Sequence, residues 1–167
     1  LFLPTASAAV IRRYGGPKIA ALQNEFRFSD MISEKIDKGR VDVGESVATF
    51  MLDAAIRMGC DPIVFVGQDL SFSDGHSHAA GVEKRLKVER TPCTVESVDG
   101  SRIPTSSVLL WFRRWIEDRI AREPGRTFIN VSQTGARIKG TQEMPLEEAI
   151  KLCTTLIDKA PLTRLFA

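Results

Sequence analysis

Acidic side chains and both histidines of the chain follow one short apolar segment. Residues Ile63 to Val66 are all apolar, and Gly67 ends the run. The polar residues after it are Gln68, Asp69, Asp74, His76 and His78. An apolar strand that ends in glycine and is followed by polar groups is typical of the carboxyl end of a parallel strand, where α/β folds bind their ligands. We therefore predict a ligand site after Val66, in which Asp69 binds a polar ligand or a hard cation such as Mg²⁺.

The same residues also have structural interpretations, which the sequence leaves open. Asp69 could cap a backbone turn, and Gln68 could bond a neighbouring loop. An imidazole titrates near neutral pH and can act as a general acid or base, but a histidine in a loop is often only solvated. Two histidines without a third ligand are a weak metal signal, so we predict no transition-metal site from His76 and His78.

A second strand is predicted over Thr127 to Val131, and polar and glycine residues follow it in the same way. Adjacent parallel strands end at one edge of a sheet, so the segment NVSQTGARIKG could line the same crevice. Its candidate ligand-binding residues are Asn130, Gln133 and Gly135, and either Arg137 or Lys139 could neutralise a phosphate. A plain loop between a strand and the next element is the alternative.

Two predicted helices begin with small and hydroxyl residues, Gly44-Glu45-Ser46 and Thr105-Ser106-Ser107. Free backbone N–H groups at a helix start can bind an anion, which makes Ser46 and Thr105 candidate nucleotide-binding residues. Ordinary helix capping explains both starts equally well.

The elements that must position these residues follow from spacing and punctuation. Helices are predicted over about 5–13, 29–36, 44–59, 106–122 and 146–158, with Ser29 and Thr105 as caps and Gly59 as a stop. Asp99-Gly100 between the segments Thr94 to Val98 and Arg102 to Pro104 predicts a hairpin. The helix at 44–59 is marked by Val47, Phe50, Met51, Ala54, Ala55 and Met58, and that at 106–122 by Val108, Leu109, Phe112, Trp115, Ile116 and Ile120.

The order helix, glycine turn, apolar strand is that of a unit in a parallel sheet. We predict a Rossmann-like, three-layer α/β domain with a mainly parallel sheet and a small hairpin insertion. The chain, residues 1–167, is treated as one α/β domain, since its length fits one domain or a large piece of one.

Composition excludes some classes of partner. The formal net charge is +2 and the basic residues are spread among acids, which argues against a nucleic-acid binder. No run approaches the ~20 apolar residues of a membrane span. Cys60, Cys93 and Cys153 are too far apart in sequence for a recognisable disulfide framework or zinc motif, so we expect a reducing, cytoplasmic location. The oligomeric state, a homo-oligomer included, stays open.

Three blocks of the sequence resemble one known family in the same order. They are GESVATFMLDAAIRMGCDPIVFVGQDLSFSDGHSHAAG, DGSRIPTSSVLLWFRRWIE and INVSQTGARIKGT, which together span about residues 43–147. The chain resembles the motility accessory factor (Maf) family of flagellin glycosyltransferases, a domain family that also includes archaeal 6-hydroxymethylpterin diphosphokinases. The resemblance implies a Rossmann-like domain similar to bacterial sialyltransferases. It also implies transfer of a nonulosonic acid from a CMP-activated donor to Ser or Thr of flagellin.

The resemblance also implies roles for particular residues. The family's residues after the strand fall on Gly67, Gln68, Asp69, Asp74, Gly75 and His78. His78 is therefore favoured over His76 as the catalytic imidazole, together with Asp69. The family's glycine-rich block of the type G-x-G-P-S-L is missing, so we interpret the chain as the C-terminal part of a larger domain. The family's Glu is replaced by Gln133, which cannot act as an acid or base.

Two other functions fit the same residues. The first is an ATP-dependent diphosphokinase of the pterin type, in which Asp69 and Asp74 would hold Mg²⁺. The second is a non-catalytic module that binds flagellin or another partner. Binding of ATP only with magnesium would favour the diphosphokinase, whereas binding of CMP without metal would favour the glycosyltransferase.

Overall fold

The computed structural model describes residues 1–35, 39–72, 75–77, 87–88, 91 and 93–153. Within them, no helix has both the length and the apolar character required to cross a membrane. The elements fall into two compact units, one formed by residues 1–35 and 39–43 and the other by residues from 44 to 153. The chain is a mixed α/β protein with parallel sheets, compatible with the predicted Rossmann-like fold.

The first unit contains two short helices and two short parallel strands. They are α1 (Ala8–Arg13), β1 (Leu22–Gln23), α2 (Arg27–Ser33) and β2 (Arg40–Val41). Leu22 pairs with Arg40 and Gln23 with Val41. The predicted capping role of Ser29 is wrong, because α2 begins at Arg27 and Phe26 occupies the N-cap position. Apolar spacing indicates which side of a helix packs, but it indicates poorly where the first turn begins.

The second unit is built on a three-stranded parallel sheet. Its elements in chain order are α3 (Val47–Arg57), β3 (Ile63–Phe65), β4 (Cys93–Glu96), β5 (Arg102–Thr105), α4 (Ser107–Ala121), β6 (Phe128–Asn130), β7 (Gln142–Glu143) and α5 (Leu146–Leu152). The sheet has the order β3-β6-β7, so β6 is central. The predicted helix over 146–158 is confirmed as far as Leu152; its positions from 154 onward lie outside the described residues.

Successive residues of β6 face different helices, because side chains alternate between the two faces of a strand. Phe128 packs in a cluster with residues of α3 and α4, such as Leu52 and Ile116. Its neighbour Ile129 packs instead with Ala149 of α5. Helices therefore cover both faces of the sheet, as predicted for a three-layer domain.

The predicted hairpin insertion is confirmed. Strands β4 and β5 are antiparallel, with Val95 opposite Ile103. Gly100 adopts a φ of +85°, and the amide of Ser101 donates to the Asp99 carboxylate over 2.9 Å. Asp and Gly are the residue types that tolerate and stabilise such a turn.

The apolar spacing predicted the two long helices correctly, but several residues on the faces that it predicted as packed are exposed. On α3, Val47 and Met51 are exposed, as is the C-cap residue Met58, while Leu52 and Ile56 are buried. On α4, Val108 is exposed, while Ile116 and Ile120 are buried. Both helices carry more than one apolar stripe, and packing against the sheet decides which stripe is covered.

Candidate functional site

Two loops leave the sheet at the same edge, one after β3 and one after β6. The strands are parallel neighbours with Phe65 opposite Asn130. The amide of Val131 donates to the carbonyl of Phe65 over 3.2 Å and extends this pairing to the end of both strands. The polar residues after the two strands are thereby brought together, as expected for the carboxyl edge of a parallel sheet.

A hydrogen bond joins the side chains at this edge. The hydroxyl of Ser132 donates to Asp69 Oδ1 over 2.6 Å and accepts from the amide of Gly135 over 3.1 Å. The amide of Ala136 donates to the Asp69 carbonyl over 2.7 Å. Asp69 is half-buried, and its second oxygen, Oδ2, accepts no hydrogen bond from the part of the chain that the structure describes. A carboxylate that is held through one oxygen retains acceptor capacity for a ligand.

The close approach of the two loops requires glycine at position 135. A Cβ atom added to Gly135 would lie 2.6 Å from Ser132 Oγ and 2.7 Å from the Cα of Asp69. On the other loop, Gly67 has a φ of +67° and Leu70 a φ of +52°. The chain between them turns sharply enough to bury Leu70 in the core while Gln68 and Asp69 stay half-buried at the edge.

Thr105 contacts the loop after β3 and does not cap a helix. Its hydroxyl is buried and donates to the carbonyl of Leu70 over 2.9 Å. The predicted capping role of Thr105 is wrong, because Ser106 caps α4 by accepting from the amide of Leu109 over 3.2 Å. Thr105 therefore positions the loop after β3, and its contact with a nucleotide stays a prediction.

Ser46 makes the capping interactions that a helix start normally needs. Its hydroxyl accepts from the amide of Thr49 over 3.2 Å, and Thr49 Oγ1 accepts in turn from the amides of Gly44 and Ser46. This reciprocal arrangement is a capping box in which threonine occupies the third position. Because the hydroxyl and two amides are already bonded, the geometry supports the structural role of Ser46, and its role in nucleotide binding stays a prediction.

Asn130 is fully buried at the end of β6. Its Oδ1 accepts from the amide of Ser132 over 3.1 Å, so its side chain fixes the start of the loop that carries Ser132. Its Nδ2 group has no hydrogen-bond partner among the described residues. Gln133, by contrast, is exposed.

Asp74 and His78, two of the predicted site residues, lie outside the residues that the structure describes. Gly75 is half-buried with a φ of +72°, and His76 forms an isolated bridge with Lys87. In the described ranges, no three His, Cys, Asp or Glu residues are grouped so that they could hold a metal ion. Magnesium binding through Asp69 and Asp74 stays a prediction.

The sequence pattern does not predict Ser132 as a site residue, although its hydroxyl contacts Asp69 directly. The available signal was its position two residues after Asn130, where a serine amide can bond the asparagine side chain in a turn. That pattern predicts a local turn, and it carries no information about the residue 63 positions away to which the hydroxyl donates.

Comparison with known families supports part of the predicted resemblance. Residues 1–75 match the family described as 6-hydroxymethylpterin diphosphokinase MptE-like. The resemblance to the diphosphokinase family is thereby confirmed, over residues 1–75 rather than the predicted 43–147, while the link to Maf glycosyltransferases stays a prediction. The matched segment includes Gly67, Gln68 and Asp69, whereas Asn130 and Ser132 follow it. No curated protein and no solved structure matches the chain.

Proposed function

We propose that this chain carries part of a pterin-type diphosphokinase site, in which a pyrophosphoryl group passes from ATP to a hydroxyl group of a pterin-type acceptor, with release of AMP and of the hydroxyl proton. Two observations support the proposal. The family match over residues 1–75 names this activity, and Asp69 lies within the matched segment. The single observation that carries the proposal is the Asp69 carboxylate, which is held at the carboxyl edge through one oxygen only.

The carboxylate suits the cation that ATP chemistry requires. Carboxylate oxygens are preferred ligands of Mg²⁺, which usually binds through one or two carboxylates together with phosphates. When bound, the ion neutralises charge that develops on the transferred phosphoryl group. Asp69 fits this ion, because its Oδ2 accepts no hydrogen bond from the described residues.

The protein's own contribution at this edge is orientation. The Ser132 hydroxyl fixes one carboxylate oxygen of Asp69, and the Gly135 amide fixes the hydroxyl. Thr105 holds the backbone of the same loop at Leu70. Phosphoryl transfer depends mainly on positioning and electrostatic stabilisation, so a carboxylate that is fixed before the ligand arrives favours the reaction.

Isothermal titration of the full chain with ATP, with and without MgCl₂, tests this proposal. We expect magnesium-dependent binding that Asp69→Asn weakens at least about tenfold, equivalent to about 1.4 kcal/mol. Asp69→Asn should change the free energy of unfolding by less than about 1 kcal/mol, because the half-buried side chain keeps an acceptor for Ser132. Asp118→Asn is the matched control, since it removes an exposed carboxylate of α4.

The outcomes separate the alternatives. Equal ATP affinity of the wild type and Asp69→Asn would remove Asp69 from the site, and absence of ATP binding by the wild type would contradict the diphosphokinase proposal. Metal-independent binding of CMP would instead favour the predicted transfer of a CMP-activated nonulosonic acid to flagellin.

A further inference from the structure

A cavity is lined by residues of the hairpin, of helix α4 and of the segment that leads into β7. Its volume is about 450 Å³. Five charged side chains line it: Glu96, Arg113, Arg137, Lys139 and Glu143. Cavities of this volume are in the range that binds small molecules. Their hydrogen bonds and ion pairs divide them into two groups, one around Glu117 and one around Arg137.

Around Glu117, the guanidinium of Arg113 and the backbone amide of Lys139 share one carboxylate oxygen. Nε of Arg113 donates to Glu117 Oε1 over 2.8 Å, and the backbone amide of Lys139 donates to the same oxygen over 2.9 Å. The guanidinium is therefore held through Nε, which leaves its two terminal amino groups without a partner among the described residues. The ammonium group of Lys139 also has no ion pair within the described part of the chain.

Around Arg137, two carboxylates share one guanidinium. Nε of Arg137 lies 3.4 Å from Glu96 Oε1 and 3.5 Å from Glu143 Oε1. Both distances exceed those of a good hydrogen bond. The same guanidinium donates to the carbonyl of Val98 over 2.7 Å. The two carboxylates therefore retain acceptor capacity toward the cavity.

We propose that this cavity binds a small amphoteric molecule, with an oxyanion at Arg113 and Lys139 and an amino group at Glu96 and Glu143. A guanidinium with two free amino groups matches the two oxygens of a phosphate or carboxylate, and a nearby ammonium adds charge. A simple anion would leave the acidic group around Arg137 without a partner in the ligand, and a simple cation would leave Arg113 and Lys139 without one. A molecule that carries both an oxyanion and an amino group can bind both groups of charges.

The proposal does not depend on the diphosphokinase assignment. None of the five charged lining residues takes part in the hydrogen bonds that hold Asp69, and four of them follow residue 75, where the family match ends, by more than 30 positions. The cavity can therefore be tested without ATP and without magnesium.

Titration of the full chain with aminoalkyl phosphates of two to six methylene groups tests the cavity. Inorganic phosphate alone probes Arg113 and Lys139, and ethanolamine alone probes Glu96 and Glu143. We expect at least one member of the series to bind about tenfold more tightly than either half-probe. In a ¹H–¹⁵N spectrum of the wild type, the amide signals of Lys139 and Glu143 should both shift with the best member. With inorganic phosphate, the Lys139 signal should shift and the Glu143 signal should not.

Matched variants identify the residues responsible. Arg113→Gln and Glu143→Gln should each reduce the affinity for the best aminoalkyl phosphate about tenfold. Arg114→Gln should leave it unchanged, because it removes the same charge from an exposed neighbour on the same helix. The proposal is overturned if no member of the series exceeds inorganic phosphate, or if Arg113→Gln and Arg114→Gln bind alike. The wild-type spectra decide the question even where a variant fails to fold, since unchanged Lys139 and Glu143 signals also overturn it.

Discussion

Two aspartates of the second unit have opposite environments. Asp53 on α3 is fully buried, and its two oxygens accept from Arg57 over 2.5 Å and from Arg119 over 2.7 Å. Asp69 at the end of β3 is half-buried and is held by Ser132 through one oxygen. Both are carboxylates of the same unit, but one has its charge compensated by the protein and the other has acceptor capacity left.

The difference separates a structural carboxylate from a candidate functional one. A buried charge must be paired within the protein, since water cannot stabilise it, and removal of one partner leaves the other uncompensated. A half-buried carboxylate at a sheet edge needs less compensation of its charge from the protein. Its unbonded oxygen can exchange water for a ligand. Completeness of the hydrogen bonds is therefore more informative about function than the presence of an acidic residue.

The largest effect should follow from Asp53→Asn. This substitution keeps the size of the side chain but removes the negative charge beside the partly buried guanidinium of Arg119. Breaking a buried ion pair from one side costs about 3–5 kcal/mol. Urea denaturation followed by circular dichroism should show a loss of that size.

Asp118→Asn on the exposed side of α4 serves as the control and should lie within about 0.5 kcal/mol of the wild type. Similar losses for the two variants would show that Asp53 contributes no more than a surface acid does, and the contrast with Asp69 would then disappear.

Gly135→Ala should reduce stability less than Asp53→Asn does, but it should directly disturb the carboxyl edge of the sheet. The added methyl group would lie 2.6 Å from Ser132 Oγ and 2.7 Å from the Cα of Asp69, so the two loops must move apart. Overpacking of this kind costs about 1–3 kcal/mol, and it should also weaken the binding of ATP with magnesium. The unfolding free energy and the ATP titration measure the two consequences.

Gly125→Ala is the control for that substitution, because a Cβ at Gly125 meets no atom within 4 Å and its φ is not positive. If both glycine variants retain wild-type stability and ATP affinity, the contact between the loops after β3 and β6 is not as close as the structure shows.

The smallest effect concerns the dependence of stability on pH at the end of α4. The hydrogen bond from Arg119 holds the pKa of Glu123 below its ordinary value of 4.5. Partial desolvation opposes this shift, and the positive charges of Arg119 and Arg126 reinforce it. The same contact acts on its partner: burial would lower the pKa of Arg119, but its hydrogen bonds to Glu123 and Asp53 raise it.

The pKa of Glu123 is lower in the folded protein than in the unfolded chain, so the unfolded chain binds a proton at this carboxylate first as the pH falls. The stabilisation by Glu123 is therefore complete above about pH 4.5 and is lost as the pH falls through the lowered pKa of the folded state. Denaturation midpoints measured between pH 6 and 3 should fall less steeply in Glu123→Gln than in the wild type. Parallel curves for the two proteins would show that Glu123 does not contribute in this pH range.

Local sequence patterns were sufficient for the order and type of the main elements. The helix that begins after Ser46, the stop at Gly59, the turn at Asp99-Gly100 and the strand from Ile63 were all predicted. Each depends on chemistry within a few residues: a hydroxyl that caps, a glycine that adopts a positive φ, or an apolar run that pairs.

Long-range packing decided everything that joins distant parts of the chain. Thr105 was predicted as a cap from its neighbours, but its hydroxyl bonds Leu70, which is 35 positions away. The contact of Ser132 with Asp69 and the choice of the buried stripe on α3 are of the same kind. The amino-acid order could show that polar residues follow two strands, whereas their pairing depends on strand register and loop path, which arise only when the sheet and its helices pack together.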